Sequence, residues 1–104
     1  MQNPPAAGWQ LRPMRIADYD EVLALWQKSE GVGLGESDDR AAIAAYLARN
    51  PGLSLVAVAG KRTVGAVLCG HDGRRGYLHH LAAASSHRRQ GIARALAGEG
   101  RASL

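Results

Sequence analysis

The chain has 104 residues and a formal net charge of +4 at pH 7. A chain of this length is long enough for one domain and too short for two ordinary ones. It contains a single cysteine, Cys69, which excludes an internal disulfide framework and fits a reducing compartment. No segment has the pattern of a signal peptide or the apolar length of a membrane span, so we expect a cytoplasmic protein without a membrane partner.

The positive charge lies mainly in the second half of the chain. Residues 1–60 hold five basic and seven acidic side chains, whereas residues 61–104 hold eight basic and two acidic ones. A ligand that carries phosphate groups would suit this distribution. Nucleic acid would also suit it, but the sequence has little aromatic interleaving and no long basic run. A small phosphate-bearing ligand therefore explains the charge with fewer assumptions.

The first part of the chain predicts a strand followed by a helix. Residues 1–8 contain two adjacent prolines, and we expect them to form a flexible leader. Residues 9–13 alternate in polarity, as in a short strand. Asp18, with Glu21 three residues later, is typical of a capping box, and the apolar spacing after it predicts an amphipathic helix over residues 19–28.

A glycine-rich stretch, residues 31–35, follows this helix. Its spacing is similar to part of a dinucleotide-binding fingerprint, but it follows a helix rather than a strand, so we interpret it as a connector. Ser37 or Asp38 is predicted to cap a second helix that runs to about Arg49. Pro51 ends that helix because it keeps the preceding residue out of the helical region.

Three apolar runs separated by turns then predict three strands at residues 53–59, 64–70 and 77–83. Cys69 lies in the second run and is predicted to be a buried, chemically inert side chain. A last helix follows the third run. One strand, two helices, three consecutive strands and a helix indicate an α+β fold, in which helices flank a mostly antiparallel sheet.

The turn that enters the last helix is a candidate phosphate site. It reads Arg88-Arg89-Gln90-Gly91-Ile92-Ala93. The first N–H groups of a helix have no partner within it, and the helix dipole places partial positive charge there. Gly91 and Ala93 leave the backbone accessible, and the two arginines add charge. We therefore predict that a diphosphate binds here; the alternative is that these small residues serve helix packing alone.

This turn resembles the Arg/Gln-x-x-Gly-x-Gly/Ala signature of the GNAT family of N-acetyltransferases. The preceding Leu81-Ala82-Ala83 stands where that family has a Leu-Ala-Val strand end, although Ser85-Ser86 replaces a frequent proline and acidic residue. The resemblance covers residues 11–97 and implies the N-terminal two-thirds of the family fold. It also implies acetyl-CoA as cosubstrate. Its pantetheine arm would pair along Leu81, Ala82 and Ala83, and its diphosphate would bind Arg88, Arg89, Gln90, Gly91, Ile92 and Ala93.

The resemblance further implies that a primary amine, on a small molecule or a peptide, attacks the thioester directly. It also offers a second interpretation of residues 31–35, since the segment between the first two helices often lines the acceptor site in this family. An amine must lose a proton before it attacks, and imidazole titrates in the useful range. His79 and His80 are therefore candidates for the base, and at most one of them would act. Neighbours on a strand should point to opposite faces of the sheet. The alternative is that both are structural histidines; we expect no metal site.

Members of this family normally continue beyond this helix, whereas here residues 98–104 end the chain, and Gly98 and Gly100 should interrupt the helix. We therefore expect one shortened domain over residues 1–104. Its last strand would have an open edge, which invites pairing with a second copy into a homo-oligomer. The alternative function is a non-catalytic module that binds CoA or a diphosphate, or that pairs with a partner through this edge.

Overall fold

The computed structural model describes residues 8–29, 33–35, 38–87 and 90–104. Four strands and three helices form the fold: β1 (Gln10–Pro13), α1 (Tyr19–Gln27), α2 (Arg40–Arg49), β2 (Leu55–Ala59), β3 (Arg62–His71), β4 (Gly76–Ala83) and α3 (Ile92–Ala102). The strands form one antiparallel sheet in the order β1-β2-β3-β4. The predicted α+β class is confirmed. Within the described ranges, no helix combines the length and apolar character needed to cross a bilayer.

The sheet separates two apolar cores. On one face, α1 and α2 cover the sheet, and Trp26 and Ile43 are their most deeply buried large side chains. On the other face, α3 packs Ile92 and Leu96 against the strands. Because helices cover both faces of the sheet, β3 is buried on both. Its successive side chains alternate, so that Leu68 belongs to the α1–α2 face and Cys69 to the α3 face.

Gly98 and Gly100 do not interrupt the last helix, contrary to the expectation from the sequence. Helix α3 continues through both to Ala102. A Cβ atom on Gly100 would lie 2.8 Å from both Cys69 Sγ and Leu78 Cδ2, so the helix packs closely on the sheet at this glycine. Packing against the sheet therefore outweighs the low helix propensity of glycine, which is about 1 kcal/mol below that of alanine.

The predicted capping box at the start of α1 is also wrong. The Asp18 carboxylate accepts hydrogen bonds from both terminal nitrogens of Arg12, at 2.7 and 2.8 Å, and from the Arg15 N–H at 2.8 Å. The bond with Arg12 is the main reason that the pKa of Asp18 is lowered. Glu21 instead accepts from the N–H of Thr63, at 2.9 Å, and so ties α1 to the start of β3.

Helix α2 is capped by Asp39 rather than by Asp38. Asp39 Oδ1 accepts a hydrogen bond of 2.7 Å from the Ala42 N–H, as an N-cap side chain does. Ser37, the other predicted cap, lies outside the described residues. Since Asp39 does the capping, the buried carboxylate of Asp38 is available for other contacts.

The two glycines of α3 provide a matched test of this packing. Ala at position 98 meets open space, so Gly98→Ala should raise the free energy of unfolding by about 0.5–1 kcal/mol. Gly100→Ala gains the same helix propensity, but its methyl group overpacks the contact with the sheet. This substitution should therefore lower the free energy of unfolding by roughly 1–2 kcal/mol. Urea unfolding followed by circular dichroism measures both. Equal stabilisation by the two substitutions would contradict the close approach at Gly100.

Candidate functional site

A cleft of about 810 Å³ opens on the α1–α2 face of the sheet. It lies between α2, residues 33–35 and the adjoining parts of β3 and β4. Its apolar walls include Leu34, Ile43 and Leu68. Its polar and charged side chains are those of Asp38, Tyr46, Arg49, His79 and His80. The cleft is therefore a mainly apolar groove that also contains ionisable side chains.

Strand β4 is irregular where it borders this cleft. Ala66 of β3 pairs with Ala82, and Leu68 pairs with His79, so two residues of β4 stand opposite Val67 alone. One of the two, His80, has φ +55°, the only positive φ at a non-glycine residue in the described part of the chain. This is a β-bulge, which re-aims the side chains next to it.

The bulge overturns the prediction that His79 and His80 point to opposite faces. His79 pairs with Leu68 and shares the α1–α2 face with it. Regular alternation would turn His80 to the α3 face. Instead its ring packs edge-on against Trp26 of α1, with centroids 5.0 Å apart and an interplanar angle of 67°. Both histidines therefore line the same cleft.

His80 is held by a carboxylate. Its Nε2 lies 2.8 Å from Asp38 Oδ1, and the exposed fractions of the two side chains are only 20% and 10%. An ionised carboxylate can only accept hydrogen bonds, so Nε2 carries the hydrogen. The other nitrogen, Nδ1, has no hydrogen-bond partner among the described residues. In the neutral ring this nitrogen carries the free lone pair that can take up a proton.

The Asp38–His80 pair is itself fixed from several sides. Gly35 donates its N–H to Asp38 Oδ2 at 3.0 Å, and the Tyr19 hydroxyl donates to the backbone oxygen of Asp38 at 2.7 Å. Trp26 Nε1 donates to the backbone oxygen of His80 at 2.8 Å. Helix α1, the segment before α2 and strand β4 thus converge on one imidazole, and its orientation is set before any ligand arrives.

His79 has no such support. Its ring is exposed and stacks on Tyr77, with centroids 5.9 Å apart and an interplanar angle of 12°. Within the described ranges, no carboxylate contacts it. The sequence predicts either histidine as the base without a preference. In the described part of the chain, only His80, of the two, has its ring oriented by a carboxylate.

The turn predicted to bind a diphosphate is open where it is described. Gly91 precedes α3 with φ +82°, and a Cβ atom there would meet nothing within 4 Å. No side-chain hydrogen bond caps the helix, and its hydrogen-bond ladder begins with the Ala95 N–H bonded to Gly91 O. The N–H groups of Ile92, Ala93 and Arg94 come before that ladder. Arg88 and Arg89 lie outside the described residues.

Gly65 in the sheet allows the first turn of α3 to pack closely on β3. A Cβ atom on Gly65 would lie 2.6 Å from Ile92 Cγ2 and 3.0 Å from Leu96 Cδ1. The first turn of α3 therefore rests directly on β3. Ile92 is buried in this contact, while Gly91 and Ala93 remain exposed on the outer side of the turn. Local packing thus keeps the helix terminus accessible.

The outer edge of β4 leads from the cleft toward this turn. Strand β4 is last in the order of the sheet, so within the described chain only β3 pairs with it. Past the bulge, Leu81 is 40% exposed, while Ala82 and Ala83 pair with β3. A second, smaller cleft of about 340 Å³ adjoins this end of the strand and reaches Lys28, just after α1, and Arg62 of β3.

Two residues of the cleft were missed at the level of sequence. For Asp38 the sequence pattern predicts only a helix cap, although two adjacent acidic residues at a helix start leave one carboxylate free for another contact. Arg49 was considered only as a helix end. Cys69, by contrast, is buried as predicted, and burial raises the pKa of its thiol to about 11. In the described ranges, no group of three or more potential ligands could hold a metal ion.

Comparison with known proteins agrees with these features. The profile of the acetyltransferase (GNAT) family matches residues 19–100. An acetyltransferase of Photorhabdus laumondii is 34% identical over 87 residues, which are 84% of this chain and 60% of the relative. The chain thus spans about three-fifths of the length of the curated relatives it matches.

Two solved structures show the same fold. The PaiA N-acetyltransferase of Thermoplasma acidophilum, in complex with coenzyme A, superposes with a TM-score of 0.77 at 15% identity, over 91% of this chain and 70% of that one. The diaminobutyrate acetyltransferase of Paenibacillus lautus, in complex with diaminobutyric acid and coenzyme A, superposes with a TM-score of 0.71 at 24% identity. That match covers 86% of this chain and 54% of the other.

Proposed function

This chain belongs to the acetyltransferase (GNAT) family, and from that premise we propose that it transfers an acetyl group from acetyl-CoA to a primary amine. One observation carries the proposal. The stretch of β4 from His79 to Ala83 borders the cleft with its oriented imidazole at one end and leads toward the open turn at Gly91 at the other. An acceptor site and a diphosphate site therefore lie along one short path.

Coenzyme A fits the second part of that path. The N–H groups that open α3 suit a diphosphate, because they come before the hydrogen-bond ladder of the helix and the helix dipole favours negative charge there. The missing side chain of Gly91 lets the phosphates approach the backbone, and Gln90, Ile92 and Ala93 complete the described part of the turn. The outer edge of Leu81, Ala82 and Ala83 is available for the amides of the pantetheine arm. Coenzyme A in two structures of this fold supports the assignment.

His80 is the proposed base. Its Nδ1 takes the first proton from the substrate ammonium group, while Asp38 stabilises the resulting imidazolium through Nε2. The free amine then attacks the thioester carbon directly: a carbon–nitrogen bond forms, the carbon–sulfur bond breaks, and the second proton leaves with the thiol. No covalent enzyme intermediate is needed. Most of the rate enhancement comes from holding the amine and the thioester together.

Binding of the cosubstrate is tested by adding a carboxylate to the turn. Gly91→Glu places a negative charge beside the phosphates, and we expect acetyl-CoA to bind at least about tenfold more weakly, equivalent to about 1.4 kcal/mol. Gly73→Glu is the control, because Gly73 shares the left-handed φ (+87° against +82°) and also faces open space, but lies in the β3–β4 turn. Isothermal titration calorimetry measures both. Equal affinities for the two variants would count against a diphosphate at Gly91.

Catalysis by the oriented imidazole is tested by comparing the two histidines. His80→Gln should lower kcat by roughly 100-fold or more, as loss of a general base does. Asp38→Asn should lower it less, because the ring stays in place but its charged form loses the carboxylate. His79→Gln is the control and should change kcat less than threefold, by the same order-of-magnitude reasoning. The rates are measured from the release of the CoA thiol. Similar losses of kcat in His80→Gln and His79→Gln would contradict the assignment of His80 as the base.

A second candidate function is self-association through β4. Tyr77 and Leu81, two of the most exposed large apolar side chains of the described chain, both lie on this strand. An edge strand can pair antiparallel with its own copy about a twofold axis. Such pairing would occupy the edge that the pantetheine arm needs, so dimerisation and cosubstrate binding should exclude each other.

Light scattering after size exclusion tests this second candidate. We expect twice the chain mass for the unchanged protein, and the mass of one chain after excess CoA or in Leu81→Lys, since an edge lysine opposes pairing. Leu34→Lys, at an equally exposed leucine of the cleft, should remain dimeric. A monomer in the absence of CoA would remove the proposal.

A further inference from the structure

The cleft holds a second charged site at a distance from the imidazole. Asp38, which holds the ring of His80, lies just before the start of α2, whereas Arg49 is the last residue of that helix. The wall between them is apolar and includes Leu34, Ile43 and Leu68. The cleft therefore runs from a proton acceptor, across apolar side chains, to a guanidinium group.

Arg49 has no internal counter-charge among the described residues. The other arginine of α2, Arg40, lies 3.8 Å from Asp20 and packs over the ring of Tyr19. Arg49 makes neither kind of contact within the described ranges. Asp38, the acidic residue of the cleft, is already engaged by His80 and by the N–H of Gly35. A guanidinium group left free in this way is suited to bind a carboxylate through paired hydrogen bonds.

The length of α2 sets the spacing between the two ends. The nine steps from Arg40 to Arg49 advance roughly 14 Å at about 1.5 Å per residue. Two hydrogen bonds of about 2.8 Å take up part of this span, so the amine and the carboxylate of a ligand that reaches both ends lie roughly 8–10 Å apart. An amine that bears its carboxylate on the adjacent carbon is too short to reach both groups.

We propose that the acceptor is a primary amine joined by an apolar chain to a distant carboxylate. The amine would lie at His80 Nδ1, the chain along Leu34 and Leu68, and the carboxylate on Arg49. The nature of the reaction rests on the function proposed above, whereas the binding of this class of amine rests on the cleft alone. Both a free amino acid with a side-chain amine and a peptide whose C-terminal residue has one contain this arrangement.

A series of ω-amino carboxylates provides the test. On the unchanged chain, KM for 8-aminooctanoate should be about tenfold lower than for octylamine, the effect of one charge-assisted pair. Glycine should show no such advantage over methylamine. Arg49→Gln should abolish the difference in KM between 8-aminooctanoate and octylamine, and Arg49→Lys should retain part of it. Arg40→Gln is the matched control on the same helix and should retain all of it.

Binding of 8-aminooctanoate without acetyl-CoA, followed by NMR titration, separates this inference from the reaction. Binding that requires Arg49, together with no acetyl transfer to any amine, would support the carboxylate site and remove the proposed function. Transfer with equal KM values for octylamine and 8-aminooctanoate would overturn the inference and leave the reaction standing. Equal effects of Arg49→Gln and Arg40→Gln on binding would also overturn it.

Discussion

The left-handed backbone of His80 is the feature on which the cleft depends. A residue with a side chain costs roughly 1–2 kcal/mol in this conformation, and a histidine adopts it only where its surroundings hold it there. Here the Asp38 carboxylate, the edge of Trp26 and the indole N–H on its backbone oxygen supply that support. Without the bulge, His80 would face α3, and the cleft would lose its oriented imidazole. The strain in β4 and the chemistry of the cleft therefore have one origin.

Each face of the sheet supports a different one of the two proposed sites. On one face, α1 and the segment before α2 bring Trp26 and Asp38 to the imidazole, and the Tyr19 hydroxyl holds the backbone of Asp38. On the other face, glycines in the sheet and in the helix, Gly65 and Gly100, let α3 settle directly on the strands. That close packing fixes the start of α3 beside the end of β4. The proposed amine site and the proposed diphosphate site thus come from opposite faces, and β4 runs between them.

Local signals were sufficient for the order of the elements and for the turn at Gly91. Alternating polarity, turn glycines and the small residues at the helix start all act within a few positions, so the sequence alone displays them. The rest required contacts between distant segments. Asp38 and His80 are 42 positions apart, and nothing near either residue indicates the other. The same reason explains two wrong predictions, that the glycines interrupt α3 and that the Asp18 side chain caps α1. The contacts that decide both outcomes, with Cys69 and with Arg12, come from other elements.

The position of the His80 ring is the most direct test of this account. In a nuclear Overhauser spectrum of the whole chain, we expect cross-peaks between the imidazole protons of His80 and the indole protons of Trp26, whose ring centroids are 5.0 Å apart. Asp38→Asn should weaken but not remove them, since the backbone bond from Trp26 remains. Cross-peaks from the His80 ring to Leu96 or Leu78, on the α3 face, would show that the strand keeps its regular alternation and would contradict the central claim.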